Sequence, residues 1–210
     1  MPELPEVENV AQALRAALLD RRLTGMQVRF TGILSQSTRQ MRRQLLQRRV
    51  AAVNRHGKYL LLRFVKDQHA DTFLMIHLRM TGQIFVAPDY RLDKHVHLTL
   101  DFDGLPVYYR DIRKFGRFTL VDDDRFPSAL THVGPDMLAV RFRDWLDRVA
   151  KRRAPVKTVL LDQGVAAGLG NIYVDEALFR AGIHPLAAPA DLDREELKRL
   201  LNSARSVLRL

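Results

Sequence analysis

Between Leu23 and Val121 the chain is cut into eight short apolar segments: Leu23–Phe30, Val50–Val53, Tyr59–Phe64, Phe73–Leu78, Gln83–Val86, Val96–Phe102, Val107–Tyr109 and Phe118–Val121. Gly, Pro and Asp punctuation such as Ala87-Pro88-Asp89 and Asp103-Gly104 separates them. Segments this short cannot bury an apolar face alone, so they read as strands that must pair, in a sandwich or barrel. Before them, Val7, Val10, Ala11, Leu14, Ala17 and Leu18 recur at a helical spacing, and Pro5 and Glu6 suit a first turn, so Pro5–Leu19 reads as a helix. Thr38–Arg48 reads as a short basic helix.

From about Gly134 the pattern turns helical. Phe142–Val149, Val156–Asp162 and Asn171 to about Ala181 read as helices, the last closed by Gly182. The final helix carries an Asp193-x-x-Glu196 capping box and the stripe Leu197, Leu200, Leu201, Ala204, Val207 and Leu208. The expected fold class is therefore α+β, with a helix-capped β domain, sandwich or barrel, over 1–133 and an all-helical domain over 134–210.

Charge narrows the partners. Lys and Arg number 34 against 24 Asp and Glu, and 27 of the cations are Arg. Nine of the ten net positive charges lie in residues 1–121, and Arg21 to Lys66 holds twelve cations without one acid. Arginine's planar fork suits phosphate and base edges, so a polyanion, nucleic acid foremost, is the expected partner. A basic solvated face accounts for the same composition, and an RNA-binding or ribosomal protein is a further reading. No apolar run approaches the length of a membrane span, and the N-terminus is acidic rather than signal-like, so a cytoplasmic, nucleoid-associated monomer is expected.

The chemistry concentrates at Met1-Pro2-Glu3-Leu4-Pro5-Glu6-Val7-Glu8. Removal of Met1, expected before proline, leaves Pro2 a secondary amine with a pKa of about 8, nucleophilic near neutral pH. Attack of such an amine on a sugar carbon yields an iminium that acidifies the neighbouring C–H. Glu3 beside it suits proton transfer. In the second half, the glycines before Asn171 feed a helix N-terminus whose N–H groups can bind phosphate, with Asn171 placed to cap that helix.

This octapeptide resembles the N-terminal signature of the formamidopyrimidine-DNA glycosylase family, relatives of the endonuclease VIII enzymes. The likeness continues through His56-Gly57-Lys58-Tyr59, His77-Leu78-Arg79-Met80-Thr81-Gly82, Lys94-His95-Val96-His97, Asp111-Ile112-Arg113-Lys114-Phe115-Gly116, Thr131-His132-Val133-Gly134-Pro135, Gly168-Leu169-Gly170-Asn171-Ile172-Tyr173 and Ala181-Gly182-Ile183-His184-Pro185.

The resemblance implies a β-sandwich and a helix-two-turn-helix domain with damaged duplex DNA in the cleft between, and a base flipped from the stack. It implies Pro2 as nucleophile, Glu3 as general acid/base, Glu6 as a second acid near the site, and Lys58 in proton transfer and phosphate contact. Met80, Arg113 and Phe115 correspond to the residues that fill the void left by flipping. His95, Asn171, Arg152 or Arg153, and Lys157 correspond to phosphate contacts. The triad resembles the formamidopyrimidine branch, which implies oxidised purines opposite cytosine rather than the pyrimidine preference of endonuclease VIII.

One departure stands out. Family members continue past the position of Leu210 into a loop over the flipped base and a four-cysteine zinc finger, and this chain has no cysteine. No cofactor is therefore expected, and δ-elimination is expected to suffer more than base release and β-elimination. A truncated, catalytically weak protein that binds bends or lesions is the alternative.

Overall fold

Each short apolar segment forms a strand, and the strands pair into two antiparallel sheets. The computed structural model describes residues 2–67, 69–122 and 129–209; Met1, whose removal the Pro2 chemistry requires, lies outside them. The strands are β1 (Leu23–Val28), β2 (Arg49–His56), β3 (Tyr59–Lys66), β4 (His69–His77), β5 (Gln83–Val86), β6 (Val96–Phe102), β7 (Leu105–Arg110) and β8 (Arg117–Asp122). One sheet runs β1-β6-β7-β5 and the other β2-β3-β4-β8. The helices among the described residues are α1 (Leu4–Leu18), α2 (Thr38–Leu45), α3 (Phe142–Val149), α4 (Val156–Leu161), α5 (Asn171–Ala181) and α6 (Arg194–Leu208). These form two compact units: Glu6–Ala129 with Pro2, and Leu130 to the C-terminal helix with Glu3–Pro5.

In the first unit the alternation of each strand decides which face is buried. Leu60, Leu62 and Phe64 of β3 point inward, with Ile76 and Leu74 opposite Leu60 and Leu62 on β4. Leu98, Leu100 and Phe102 of β6 and Val107 and Tyr109 of β7 fill the same core from the other sheet. Val7, Ala11, Leu14 and Leu18 bring one stripe of α1 to this core, and Met41 and Leu45 do so for α2. Each of the larger side chains contributes about 1.5–3 kcal/mol of apolar burial.

Several boundaries differ from the sequence reading, three of them by more than two residues. α2 stops at Leu45, because Leu46 is extended and Gln47 takes a positive φ that turns the chain into β2. β2 and β4 run into the polar stretches Asn54–His56 and His69–Thr72, because antiparallel pairing with β3 recruits them.

The basic run also resolves differently from a bare phosphate-facing surface. Arg21, Arg42 and Arg48 donate to the carbonyls of Ala17, Met26 and Ala70. Arg49, Arg55 and Arg63 pair with Asp20, Glu8 and Asp71, acids that lie outside the run in sequence. Half of the twelve cations thus already have partners within the fold.

In the second unit Leu4, Trp145, Val159, Leu169, Val174 and the α6 stripe form a separate core. Gly182 closes α5 in the left-handed conformation that a side chain would resist, its N–H reaching the carbonyls of Leu178 and Phe179. The expected capping box is formed: Glu196 N–H donates to Asp193 at 2.8 Å, and Asp193 N–H to the Glu196 carboxylate at 2.8 Å. Asp193→Ala is therefore expected to destabilise the chain by about 1 kcal/mol, read as a lower urea midpoint with unchanged slope.

Candidate active site

Pro2 is half-buried and lines a cavity of about 420 Å³ with Glu6, Val10, Leu78, Gly82, Ile84 and Phe85. The walls are mostly apolar, with Gln83 at the start of β5 and Glu6, exposed in the first turn of α1, as the polar side chains. Here is room for a planar group beside Pro2.

Glu3, next in sequence, is 2% exposed. One of its carboxylate oxygens accepts from the Gly170 N–H at 2.6 Å and the Tyr173 N–H at 3.4 Å, the other from the Ile172 N–H at 3.0 Å. These are the orphan donors of the α5 N-terminus, where the helix dipole favours an anion. The sequence reading offered them to a phosphate and made Asn171 the cap. In the structure Gly170 is the N-cap residue, Asn171 is the first helical residue with its side chain exposed, and the anion is Glu3.

The approach depends on two glycines. Gly168 has φ +127, and a Cβ there would meet Leu4 at 2.4 Å; its carbonyl accepts the Leu4 N–H at 3.1 Å. A Cβ on Gly170 would lie 2.4 Å from the Glu3 carboxyl carbon. Gly170→Ala is thus expected to push the flexible Glu3 side chain off its donors while leaving α5 folded. The expected result is a loss of about 1–3 kcal/mol of stability from N–H groups left without their acceptor, read as a lower urea midpoint.

Lys58 is buried at the β2–β3 turn after Gly57. His77, at the end of β4, lies near it. Burial, then Arg79, then Lys58 lower the His77 pKa from its ordinary value near 6.5 to about 4. Neutral Nδ1 accepts the Arg79 N–H at 3.0 Å, holding a residue with φ +58 directly before Met80. Because the folded pKa lies below the unfolded one, this contribution to stability is present above about pH 6.5 and is lost as pH falls through about 4. His77→Gln is expected to flatten the stability profile over that window, measured by urea unfolding at several pH values.

Met80, Arg113 and Phe115 come together. The Arg113 guanidinium donates to the Met80 sulfur at 3.0 Å and lies 4.6 Å from the Phe115 ring centroid. Met80 and Phe115 stay 45% and 46% exposed, unusual for large apolar side chains beside a well-filled core.

What assembles them is Asp111, a residue the sequence reading placed in a motif but gave no role. It is fully buried. Its carboxylate accepts from the Thr81 and Tyr109 hydroxyls and from the N–H groups of Arg113, Phe115 and Gly116. Burial pushes its pKa up, but hydrogen bonds from Thr81, Gly116, Tyr109 and Arg113 outweigh this and leave it below the usual carboxylate value. Gly116 has no room for a Cβ against the Tyr109 hydroxyl. The available signal was an acid at the start of a loop that presents an exposed Arg and Phe.

His95 is half-buried ahead of β6, its N–H held by Asp93 at 2.7 Å. Hydrogen bonding to Arg110 holds Asp93 down at about 2. Arg152 and Arg153 are exposed between α3 and α4. Lys157 is engaged by Asp175 of α5 at 2.7 Å, which leaves less of its charge for a phosphate. Among the described residues no cluster of three or more His, Asp or Glu is placed to hold a metal ion. With no cysteine in the 210 residues, a tetrahedral thiolate zinc site does not fit the residues present. No helix among the described residues is long and apolar enough to cross a membrane.

The formamidopyrimidine-DNA glycosylase N-terminal domain model matches residues 1–118, and the helix-two-turn-helix domain model of the same proteins matches 133–210. The chain belongs to the formamidopyrimidine-DNA glycosylase family. It is 41% identical to the formamidopyrimidine-DNA glycosylase of Chloroflexus aurantiacus, over 99% of this chain and 75% of that protein. The corresponding protein of Herpetosiphon aurantiacus is 38% identical over 100% and 77%. Among solved structures, Lactococcus lactis Fpg in complex with abasic-site DNA superposes with a TM-score of 0.91 at 31% identity, covering 99% of this chain and 78% of that one. MutM bound to DNA containing carbocyclic 8-oxo-G gives 0.91 at 30% identity, with 99% and 78% covered.

Proposed function

We propose that this chain excises oxidised purines, 8-oxoguanine and formamidopyrimidines, from duplex DNA and then cleaves the strand as an AP lyase. The observation that carries the reading is Pro2 on the wall of a mostly apolar cavity with one acid, Glu6. A flipped base seated there would present its sugar carbon to the amine.

With Met1 removed, the Pro2 nitrogen forms a bond to C1′ as the glycosidic bond breaks and the base leaves with a proton. Glu3 transfers protons at the sugar ring oxygen as the ring opens to the iminium. Three N–H groups orient its carboxylate. The iminium then draws electrons from the C2′–H bond as its proton passes to solvent, and β-elimination breaks the C3′–O bond with the 3′-phosphate leaving. Lys58 is the proposed proton-transfer and phosphate-contacting residue. Met80, Arg113 and Phe115 enter the stack in place of the lost base, the arginine bonding the estranged partner. His95, Asn171, Arg152 and Arg153 are the proposed phosphate contacts, with Lys157 secondary. Borohydride trapping on an 8-oxoguanine duplex tests the reading. A covalent adduct is expected, and its absence from the wild-type chain would sink it.

A further inference from the structure

The polar face of α6 carries Lys198, Arg199, Asn202, Ser203 and Ser206, spaced as neighbours on one side of a helix whose other side is the buried stripe. Together with Arg180 from the last turn of α5 these residues line a groove of about 520 Å³. Glu195 is the one carboxylate in the lining, 4.0 Å from Lys198, so the groove keeps a net positive charge.

Two of the cations are already held in place. Arg199 donates through Nε to the Ala181 carbonyl at 2.8 Å, and Arg180 donates to the Ser206 hydroxyl at 3.3 Å. Ordering an arginine costs rotamer entropy, and here the fold has absorbed part of that cost. Hydroxyl and amide donors beside fixed guanidinium groups suit the oxygens of a phosphodiester. The groove lies at the opposite end of α5 from Gly170 and Glu3, about 16 Å along an eleven-residue helix.

We propose that this groove is a second, sequence-independent site for the backbone of duplex DNA, separate from the lesion site. It rests on the proposed DNA partner but not on the excision chemistry. The test saturates the chain with a short abasic-analogue duplex, then titrates a labelled lesion-free duplex while following anisotropy.

The wild-type complex is expected to take up the second duplex with a strong salt dependence. R180A/K198A/R199A is expected to weaken that step at least tenfold and to lower its salt slope by two to three, about one per lost phosphate contact. Affinity for the abasic duplex should stay within twofold. A wild-type complex that binds no second duplex, or a triple variant that binds it equally, overturns the proposal. If the abasic duplex itself is not bound, the lesion-site reading fails. A lesion-free duplex that binds the free wild-type chain and not the triple variant then still supports the groove.

Discussion

Pro2→Gly is expected to reduce the borohydride-trapped adduct on the order of a hundredfold, on 8-oxoguanine and on preformed abasic duplex alike. Glycine keeps an α-amine of similar basicity, so the loss does not come from protonation. It comes from the ring, which fixes the nitrogen against the cavity shared with Glu6, Leu78 and Ile84 and makes the product a tertiary iminium. A freely rotating terminal glycine loses that placement. Glu3→Gln separates the two steps. It is expected to cut excision of the damaged base severely while sparing the abasic substrate, because an abasic sugar already opens to its aldehyde without proton transfer from Glu3. Adduct yields equal to wild type in Pro2→Gly would show that the proline ring is dispensable, whatever Glu3→Gln does.

Local periodicity carried most of the fold into view before the structure. The α6 stripe, its capping box, the glycine stop of α5 and all eight strands depend on neighbours a few residues apart, and these are readable in order. The misread features depend on residues far apart in sequence. Nothing near Gly170 announces that its N–H belongs to Glu3, so a phosphate looked like the natural ligand and Asn171 like the cap. Arg55 finds Glu8 on a different element, and Arg48 finds the carbonyl of Ala70, so a run of cations that reads as a binding surface is partly internal scaffolding. The candidate site shows the same division. Pro2, Glu3, Met80, Arg113 and Phe115 stood out by type and motif, whereas the groups that orient them did not. Asp111 and His77 act through hydrogen bonds to backbone N–H groups, which carry no side-chain signature.

Asp111→Ala is expected to have the largest structural effect. The carboxylate is fully buried and satisfies five donors, two of them hydroxyls. Alanine leaves the Tyr109 hydroxyl and the N–H groups of Phe115 and Gly116 without that acceptor, at about 1–3 kcal/mol for each group left buried and unpaired. A total destabilisation of about 3–5 kcal/mol follows, because the loop relaxes and some donors reach water. Asp111→Asn should cost less but still turn an N–H toward donors, so it is expected to fall between alanine and wild type. The functional consequence has a direction that simple unfolding lacks. Thr81 and Asp111 tie the Met80 turn to the loop bearing Arg113 and Phe115, so loosening them should impair insertion into the stack more than the chemistry at Pro2. Under conditions where the variant is still folded, excision from a paired duplex is expected to drop on the order of tenfold to a hundredfold. A lesion in an unpaired, already extrahelical position should be processed nearly as in the wild type. Equal losses on both substrates would mean that Asp111 holds only the fold, and unchanged stability would mean that the five hydrogen bonds do not form in solution.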